Sequence, residues 1–458
     1  MIYRLLSAAI LVGCLVAPAT AQEDSITVRR IFQECLKNNT AYDNLRVLCK
    51  QVGHRLSGSE GSKKAVIWGE AALKAAGADS VWLQPVKVPH WERGKPESVT
   101  MKVSGQSRKL KALALGGSVA TPSSGIEAEV VMVKSKEELE QLGRKKVEGK
   151  IVFFNHPFDD THLRTFESYG SCVWQRVDGA IQAARFGAVG CVIRSLTHIR
   201  DDNPHTGVMQ YVDSLPKVPG LALGYLSANA LEEALAKGQQ VKLQLKTHCR
   251  TLPDADSYNV IGELHANRPN APWLVVGGHL DSWDVGEGAH DDGAGVVQSI
   301  EVLRLMKKLG LAQRFNIRCI LFMNEENGAK GARKYAEEAE RKNEPHAFGL
   351  ESDAGGFTPR GFTFEKLPES IAGMDRIRYL LAPYGLHDLS KGGSGVDVGF
   401  LRKPFPMAVL SGYRPDSQRY FDVHHAHTDV FETVHPRELA LGAASMASLM
   451  YLMSIHLP

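Results

Sequence analysis

Trp273-Leu274-Val275-Val276-Gly277-Gly278-His279-Leu280-Asp281 decides how the rest of this chain is read. An apolar run without polar alternation, ending abruptly in His279 and Asp281, is the pattern of a strand covered on both faces that delivers polar groups at its carboxyl end. The same grammar returns twice downstream. Phe315 to Met323 is nearly all apolar and leads into Asn324-Glu325-Glu326, and Ala347 to Ser352 leads into Asp353. Between these runs the spacing predicts a helix over 294–309, with Val296, Val297, Ile300, Val302, Leu303 and Leu305 on a wide apolar face, and another over 328–342. Tyr258 to Leu264 adds a strand upstream. A closing amphipathic helix runs from Pro436, a favoured first-turn position, to Ile455. Strand, crossover helix and strand in repetition predict an α/β fold on a mainly parallel mixed sheet with helices on both faces.

At 458 residues the chain has room for two or three domains of about 150 residues each. Residues 22–111 read as the first part of the same domain, with helices over 26–36, 42–51 and 63–76. A strand follows over 81–88, where Pro85 predicts an edge position. From 112 to 250 the texture changes to short apolar runs at 129–133, 150–154, 188–193 and 218–223, separated by loops and by helices over 135–146 and 177–187. A further helix and strand span 231–245. This stretch predicts a second domain inserted into the first, which resumes over 251–458. Hydrophobic residues make up 43% and charged residues 23%, which excludes a disordered or fibrous chain. Fifty-four Lys and Arg against 51 Asp and Glu leave a net charge of +3 without long blocks of one sign, so nothing asks for nucleic acid.

The first 21 residues read as a secretory signal peptide: Arg4, an apolar stretch from Leu5 to Val16, and Ala19-Thr20-Ala21 before a polar start at Gln22. The stretch is shorter than the roughly 20 residues a membrane span needs. Leu11-Val12-Gly13-Cys14 also resembles a lipoprotein acylation box, a secondary reading, because apolar residues continue past Cys14. The expected location is secreted or periplasmic. The mature chain keeps Cys35, Cys49, Cys172, Cys191, Cys249 and Cys319 with no C-x-x-C pair. That leaves buried free thiols or up to three disulfides, with Cys319 in the core.

Ligands of open parallel sheets bind beyond the carboxyl ends of the strands, and the polar clusters fall there. His279 and Asp281, Glu325 and Glu326, and Asp353 each end a strand. The loop after the first strand adds His290-Asp291-Asp292-Gly293, and His424-His425-Ala426-His427-Thr428-Asp429 comes near the C-terminus. Taken singly, these read as polar strand caps or dipole-favoured helix starts. Taken together, imidazoles and carboxylates in this order suit a divalent cation, zinc above all. The adjacent pairs Asp291-Asp292 and Glu325-Glu326 would repel one another beneath apolar strands unless a cation neutralised them.

H-x-D, D-D-G, E-E, a lone Asp and H-x-x-x-D, in that order over about 258–436, resemble the co-catalytic zinc exopeptidases. That family includes secreted bacterial aminopeptidases, glutamate carboxypeptidase and carboxypeptidase Q. Gly278 to Gly286, Asp291 to Gly295, Glu351-Ser352-Asp353-Ala354-Gly355 and His425-Ala426-His427 look most like its carboxypeptidase Q branch. In the inserted stretch, Val147 to Val152 and Gly187 to Ile193 resemble the protease-associated domain of that family. The resemblance implies a zinc-peptidase sandwich and two Zn2+ per chain. One zinc would be held by His279 and Asp353 and a second by Glu326 and His425, with Asp291 bridging them and Glu325 as general base. Two metals about 3.5–4 Å apart lower the pKa of a shared water and polarise a carbonyl. Asp281 would orient the His279 ring through its carboxylate, and the Asp291-Asp292 peptide would be cis. The family pattern puts the ligand four residues before an acid, selecting His425 by its distance from Asp429; His424 would touch the substrate, and His427 and His435 would lie outside the metal set. A homodimer is also implied.

The expected activity is hydrolysis of dipeptides or short peptides. An aminopeptidase of the same family is the alternative, and less favoured are a glutaminyl cyclase, which carries Ser where Asp292 stands, and a non-catalytic binding protein. Trp283 and Phe421 line the pocket or pack the core. Lys391-Gly392-Gly393-Ser394-Gly395 is a substrate-contacting loop or a connection.

Overall fold

The computed structural model describes residues 22–311 and 314–458. The expected signal peptide, with Cys14, lies outside the described residues. Two eight-stranded sheets organise the chain. In spatial order the first runs Ser80–Glu92, Arg250–Leu264, Asn316–Phe322, Trp273–His279, His346–Glu351, Val409–Pro415, Pro359–Phe364 and Asp388–Lys391. Its centre is parallel, as expected for Asn316–Phe322, Trp273–His279 and His346–Glu351, and it continues in parallel onto Val409–Pro415, a strand the sequence does not predict. Antiparallel pairings flank that centre on both sides, so the sheet is more mixed than the sequence suggested. The strand carrying Pro85 is an edge strand, as its proline requires.

Alternate residues of the central strands serve two cores. Leu274, Val276, Ile317, Cys319 and Leu321 enter one apolar cluster together with Val296, Ile300 and Leu303 of the helix Ala294–Lys308 and residues of the helix Pro436–His456. Val275, Ile320 and Phe322 point the other way, into a cluster with Ala332, Tyr335 and Ala336 of the helix Lys330–Arg341. Each fully buried Leu, Ile or Phe contributes about 1.5–3 kcal/mol, and both faces of the strands collect it. This is why the central runs show no polar alternation. The helix Pro436–His456 is long and apolar enough to cross a membrane, but 78% of its apolar window is buried inside the protein, which makes it a core helix.

The second sheet runs Gln106–Leu110, Ser98–Val103, Val241–Lys246, Ile126–Val133, Ile151–Phe154, Gly190–Arg194, Gly220–Leu223 and Ala112–Ala114. It opens earlier than the boundary expected at 112. Ser98–Val103 pairs along its whole length with Val241–Lys246, and Gln106–Leu110 pairs back onto it. Glu92 faces Arg250 and Ser80 faces Glu263 in one antiparallel ladder, so the chain leaves the first sheet and returns to it on neighbouring strands. A long excursion between two such adjacent ends costs the first sheet little. Two helices in this stretch, Thr165–Cys172 and Trp174–Val177, were not expected. All six described cysteines are buried and free.

Candidate functional site

Parallel pairing in the first sheet aligns three strand ends. His279 is the last residue of its strand and sits opposite Phe322, while Gly277 sits opposite Glu351, so the turns carrying Glu325, Glu326 and Asp353 emerge beside the His279 ring. The glycines of the motif make room for Asp292. A Cβ at Gly278 would stand 2.3 Å from Asp292 Oδ2, and one at Gly295 would stand 2.4 Å from Oδ1. That carboxylate accepts from the His279 and Gly295 amides, each at 3.0 Å, and joins the strand end to the helix start. The Asp291–Asp292 peptide bond is cis.

Asp291 lies at the centre of the cluster. Its Oδ1 is 3.1 Å from His279 Nε2, and its Oδ2 is 3.1 Å from His425 Nε2. Asp353 Oδ1 lies 3.5 Å from His279 Nε2 on one side, and Glu326 Oε2 lies 3.2 Å from His425 Nε2 on the other. Two groups of donors thus meet at Asp291, one with His279 and Asp353 and one with Glu326 and His425. His424 Nε2 approaches Asp291 Oδ2 to 3.6 Å, with its ring stacked on that of His425 at 3.6 Å. Among the described residues the donor atoms close enough together to hold an ion form three overlapping groups, Asp291 with His424 and His425, His279 with Asp292 and Asp353, and His279 with Asp291 and Glu326, so His424 and Asp292 stand as near as the expected ligands. His427 and His435 are exposed, apart from these groups.

The charge balance is severe. Burial pushes the Glu325 carboxyl well above its usual value against the pull of His279, and Asp353, Glu326 and Asp281 push it further. Glu326 is pushed up to about 7 by burial and by Asp291. Against its own burial, Asp291 is held well below the carboxylate range by hydrogen bonds from His279 and His425. Oε1 of Glu326 is buried without a hydrogen-bond partner. Carboxyls crowded in this way keep protons unless a cation takes their place, and the mixed His, Asp and Glu donors fit zinc.

Supporting contacts come from elsewhere in the chain. The Asp281 carboxylate does not reach the His279 ring as expected: Oδ1 is 3.9 Å from Nδ1, whereas the main-chain carbonyl of Asp281 is 3.0 Å away and takes that position. The reason is a competing demand, since Asp281 Oδ1 accepts from the amides of Asn324 at 2.7 Å and Glu325 at 3.1 Å. Asp429 accepts from the amides of His290 at 2.7 Å and Asp291 at 3.1 Å, which fixes the turn carrying Asp291. Arg55, fully buried, donates to the carbonyls of Leu280, Glu287 and Gly288 and ties down the intervening loop.

The region of the second sheet also reaches the centre. The Thr206 amide donates to the His425 carbonyl at 2.9 Å, and the Thr206 carbonyl lies 3.2 Å from His425 Nδ1. His205 Nδ1 is 2.6 Å from the His424 carbonyl, and Tyr169 meets the His424 ring edge to face. Trp283 packs edge-on against His425, and Phe421 lies in an aromatic cluster with Phe158, Phe166 and Tyr169. A pocket of about 300 Å³ opens beside Asp353, walled by Glu351, Thr363, Tyr413, Arg414 and the glycines of the 391–395 loop. That loop is therefore part of a pocket wall.

Residues 259–446 match peptidase family M28. The chain is 35% identical to carboxypeptidase Q of Bos taurus over 91% of its own length and 85% of that protein. It is 37% identical to carboxypeptidase Q of Xenopus laevis over 91% and 86%. Among solved structures, a peptidase M28 precursor from Shewanella amazonensis superposes with a TM-score of 0.89 at 30% identity, covering 95% of this chain and 97% of that one. A zinc aminopeptidase from Bacillus subtilis shares the fold, with a TM-score of 0.64 at 19% identity over 90% and 93% of the two chains.

Proposed function

The chain belongs to peptidase family M28 and is a metallopeptidase of the exopeptidase kind, and from its site we propose that it is an exported di-zinc enzyme hydrolysing dipeptides or short peptides in the manner of carboxypeptidase Q. The observation that carries this reading is the meeting of two donor groups at one buried carboxylate, Asp291, with Glu325 beside them. On this reading His279 and Asp353 would hold one zinc and Glu326 and His425 the other, with Asp291 within reach of both groups. Two zinc ions, when bound, polarise the scissile carbonyl and make a water molecule acidic enough to react at neutral pH. The inserted region of 112–250, extended to the strand at 98, acts as a protease-associated-like cap, and residues 1–21 direct export.

The chain's own residues carry the proton. The Glu325 main-chain amide donates to Asp281 Oδ1, and its carboxyl is near enough to His279, Asp353 and Glu326 to feel their charges while falling in none of the compact donor groups among the described residues. It accepts the proton of the attacking water and delivers it to the nitrogen of the leaving amine. His424 is kept neutral by burial beside His425, and it faces the substrate carbonyl as a hydrogen-bonding group rather than as a charge. The aromatic cluster around Phe421 and the ring of Trp283 exclude water from the metal side, which strengthens these interactions.

The test is the rate of hydrolysis of a free dipeptide and of its N-acetylated form by purified protein loaded with zinc, before and after chelation. The free dipeptide is expected to be cleaved, the activity to vanish with chelator and to return with zinc. Cleavage unaffected by chelation, or no cleavage of either peptide, would contradict the proposal.

A further inference from the structure

The second sheet has a ligand-facing edge of its own. Four of its strands, Ile126–Val133, Ile151–Phe154, Gly190–Arg194 and Gly220–Leu223, pair in parallel, so their carboxyl ends lie along one edge. Ligands of such sheets bind beyond that edge. A cavity of about 210 Å³ opens there, walled by Lys134, Asn155, Arg194 and Tyr225 at or just past the four strand ends and by Asn229 and Glu232 of the helix Tyr225–Ala236. Its walls are held in place. Arg194 is 6% exposed and donates to Asn155 Oδ1 and Asn229 Oδ1, each at 2.7 Å, and to Glu232 Oε2 at 2.9 Å, with its guanidinium carbon 5.4 Å from the centre of the Tyr225 ring. Lys134 Nζ lies 3.4 Å from Glu232 Oε1. Two cations therefore share one carboxylate among the described residues, and two of the five guanidinium N–H groups stay untaken. Asn229 Nδ2 and the Tyr225 hydroxyl bond to no other described residue.

Charge of the other sign belongs to the same cavity. Asp160 is part of its wall, exposed and only loosely engaged, with Oδ2 3.8 Å from Arg200 Nη2. Phe158, Asp160 and His198 also wall a second cavity of about 230 Å³, so the two are lobes of one groove. Each lobe is smaller than the roughly 300 Å³ at which drug-sized sites begin, which suits a very small ligand. Untaken donors around a surplus cation fit a carboxylate, and the Asp160 carboxylate fits an ammonium. We propose that this groove is a second binding site, for a free α-amino acid, whose carboxylate meets Arg194, Asn229 and Lys134, whose ammonium meets Asp160, and whose side chain points past Phe158. The groove's own chemistry carries the choice of ligand, while its meaning for turnover rests on the reading of the metal centre, since a free amino acid is the product of that reaction. The groove wall is tied to the centre. The Phe158 ring lies 5.3 Å from that of Phe421, which lies 5.2 Å from that of His424, while Thr197 Oγ1 donates to the Phe421 carbonyl at 2.5 Å and His198 pairs with Asp422 at 3.0 Å. An occupant that orders Phe158 and His198 therefore bears on the segment presenting His424, and the product inhibits from the groove as well as from the metal centre.

The test is equilibrium dialysis of labelled alanine against the full chain loaded with zinc, in the wild type, Asn229→Asp and Lys134→Ala. Aspartate keeps the oxygen to which Arg194 Nη1 donates and turns the free amide nitrogen into a charged oxygen, so it preserves the wall and repels a carboxylate. The wild type is expected to bind one alanine per chain more than Asn229→Asp, and Lys134→Ala to weaken that extra site by about tenfold. Both variants are expected to keep the wild-type kcat/KM on a dipeptide and the wild-type thermal unfolding temperature. Alaninamide and N-acetylalanine, each lacking one charge of the zwitterion, should not displace alanine from the extra site. Inhibition of hydrolysis by alanine should be mixed in the wild type and competitive in Asn229→Asp. Equal alanine binding in the wild type and Asn229→Asp would overturn the inference, as would displacement by alaninamide as effective as by alanine itself. Binding of inorganic phosphate at this groove with no binding of alanine would also overturn it, and purely competitive inhibition of the wild type would overturn the link to His424. A wild type that binds the extra alanine but cleaves no peptide would instead sink the reading of the metal centre and support the groove as a site in its own right.

Discussion

Glu325→Gln is expected to lower kcat by about 10²–10⁴-fold, or about 3–5 kcal/mol of barrier, while leaving the fold, the zinc content and KM close to those of the wild type. Glutamine has the shape of glutamate and keeps the main-chain amide that Asp281 Oδ1 accepts at 3.1 Å, so the turn carrying residue 325 has no cause to move. What disappears is an oxygen able to take a proton. Glu325 falls in none of the compact donor groups found among the described residues, so metal binding is expected not to depend on it. A loss confined to kcat marks an interaction made in the transition state and not in the bound substrate. Steady-state kinetics beside elemental analysis of the same sample reads both quantities. Full turnover in this variant would remove Glu325 from the mechanism.

Asp291→Ala is expected to abolish hydrolysis for a different reason, by emptying the centre. One carboxylate lies 3.1 Å from both His279 and His425, so a single substitution removes a donor from both groups at once. Each group would keep only two protein donors, where catalytic zinc normally has three, and the retained metal is expected to fall well below the wild-type amount after dialysis. The Asp429 carboxylate still accepts from the main-chain amides of His290 and residue 291, so the local backbone should hold. Elemental analysis and circular dichroism on the dialysed variant check both points. Wild-type zinc content in Asp291→Ala would contradict the shared role.

Much of the fold's centre was legible because the physics there is local. Strands buried on both faces have to be apolar throughout, and their abrupt polar ends at His279, Asn324 to Glu326 and Asp353 mark the carboxyl edge without any knowledge of the partner strands. The structure brings His279, Asp291, Glu326, Asp353 and His425 together at that edge, with Glu325 and His424 adjoining. The strands Pro359–Phe364 and Asp388–Lys391 were not legible. They are short, flanked by glycine and proline, and held by pairing with each other and with Val409–Pro415 rather than by a pattern of their own. Gln106–Leu110, mostly polar and exposed, owes its strand conformation to its neighbour in the same way, which is why the second sheet opens earlier than its texture suggested.

The site was less complete in the sequence than the motif implied. Only Leu280 separates His279 from Asp281, and that spacing cannot distinguish a ring held by a carboxylate from one held by a main-chain carbonyl; the second occurs, because the carboxylate is engaged by the amides of Asn324 and Glu325. Tyr169, Arg176, His205 and Thr206 come from a region far upstream of the metal motif and carry no local signal of chemistry. Trp174-Gln175-Arg176-Val177 looks like any short helical turn. Only tertiary packing shows that its arginine is buried beside His425 without a carboxylate.

The most direct test of the di-zinc reading is the number of zinc ions per chain in the purified wild type and in His425→Ala, measured by elemental analysis after dialysis against metal-free buffer. The expected values are about two for the wild type and about one for the variant, since His425 and Glu326 would serve the second position alone while His279 and Asp353 serve the first. One zinc or none in the wild type, or an unchanged count in His425→Ala, would contradict it.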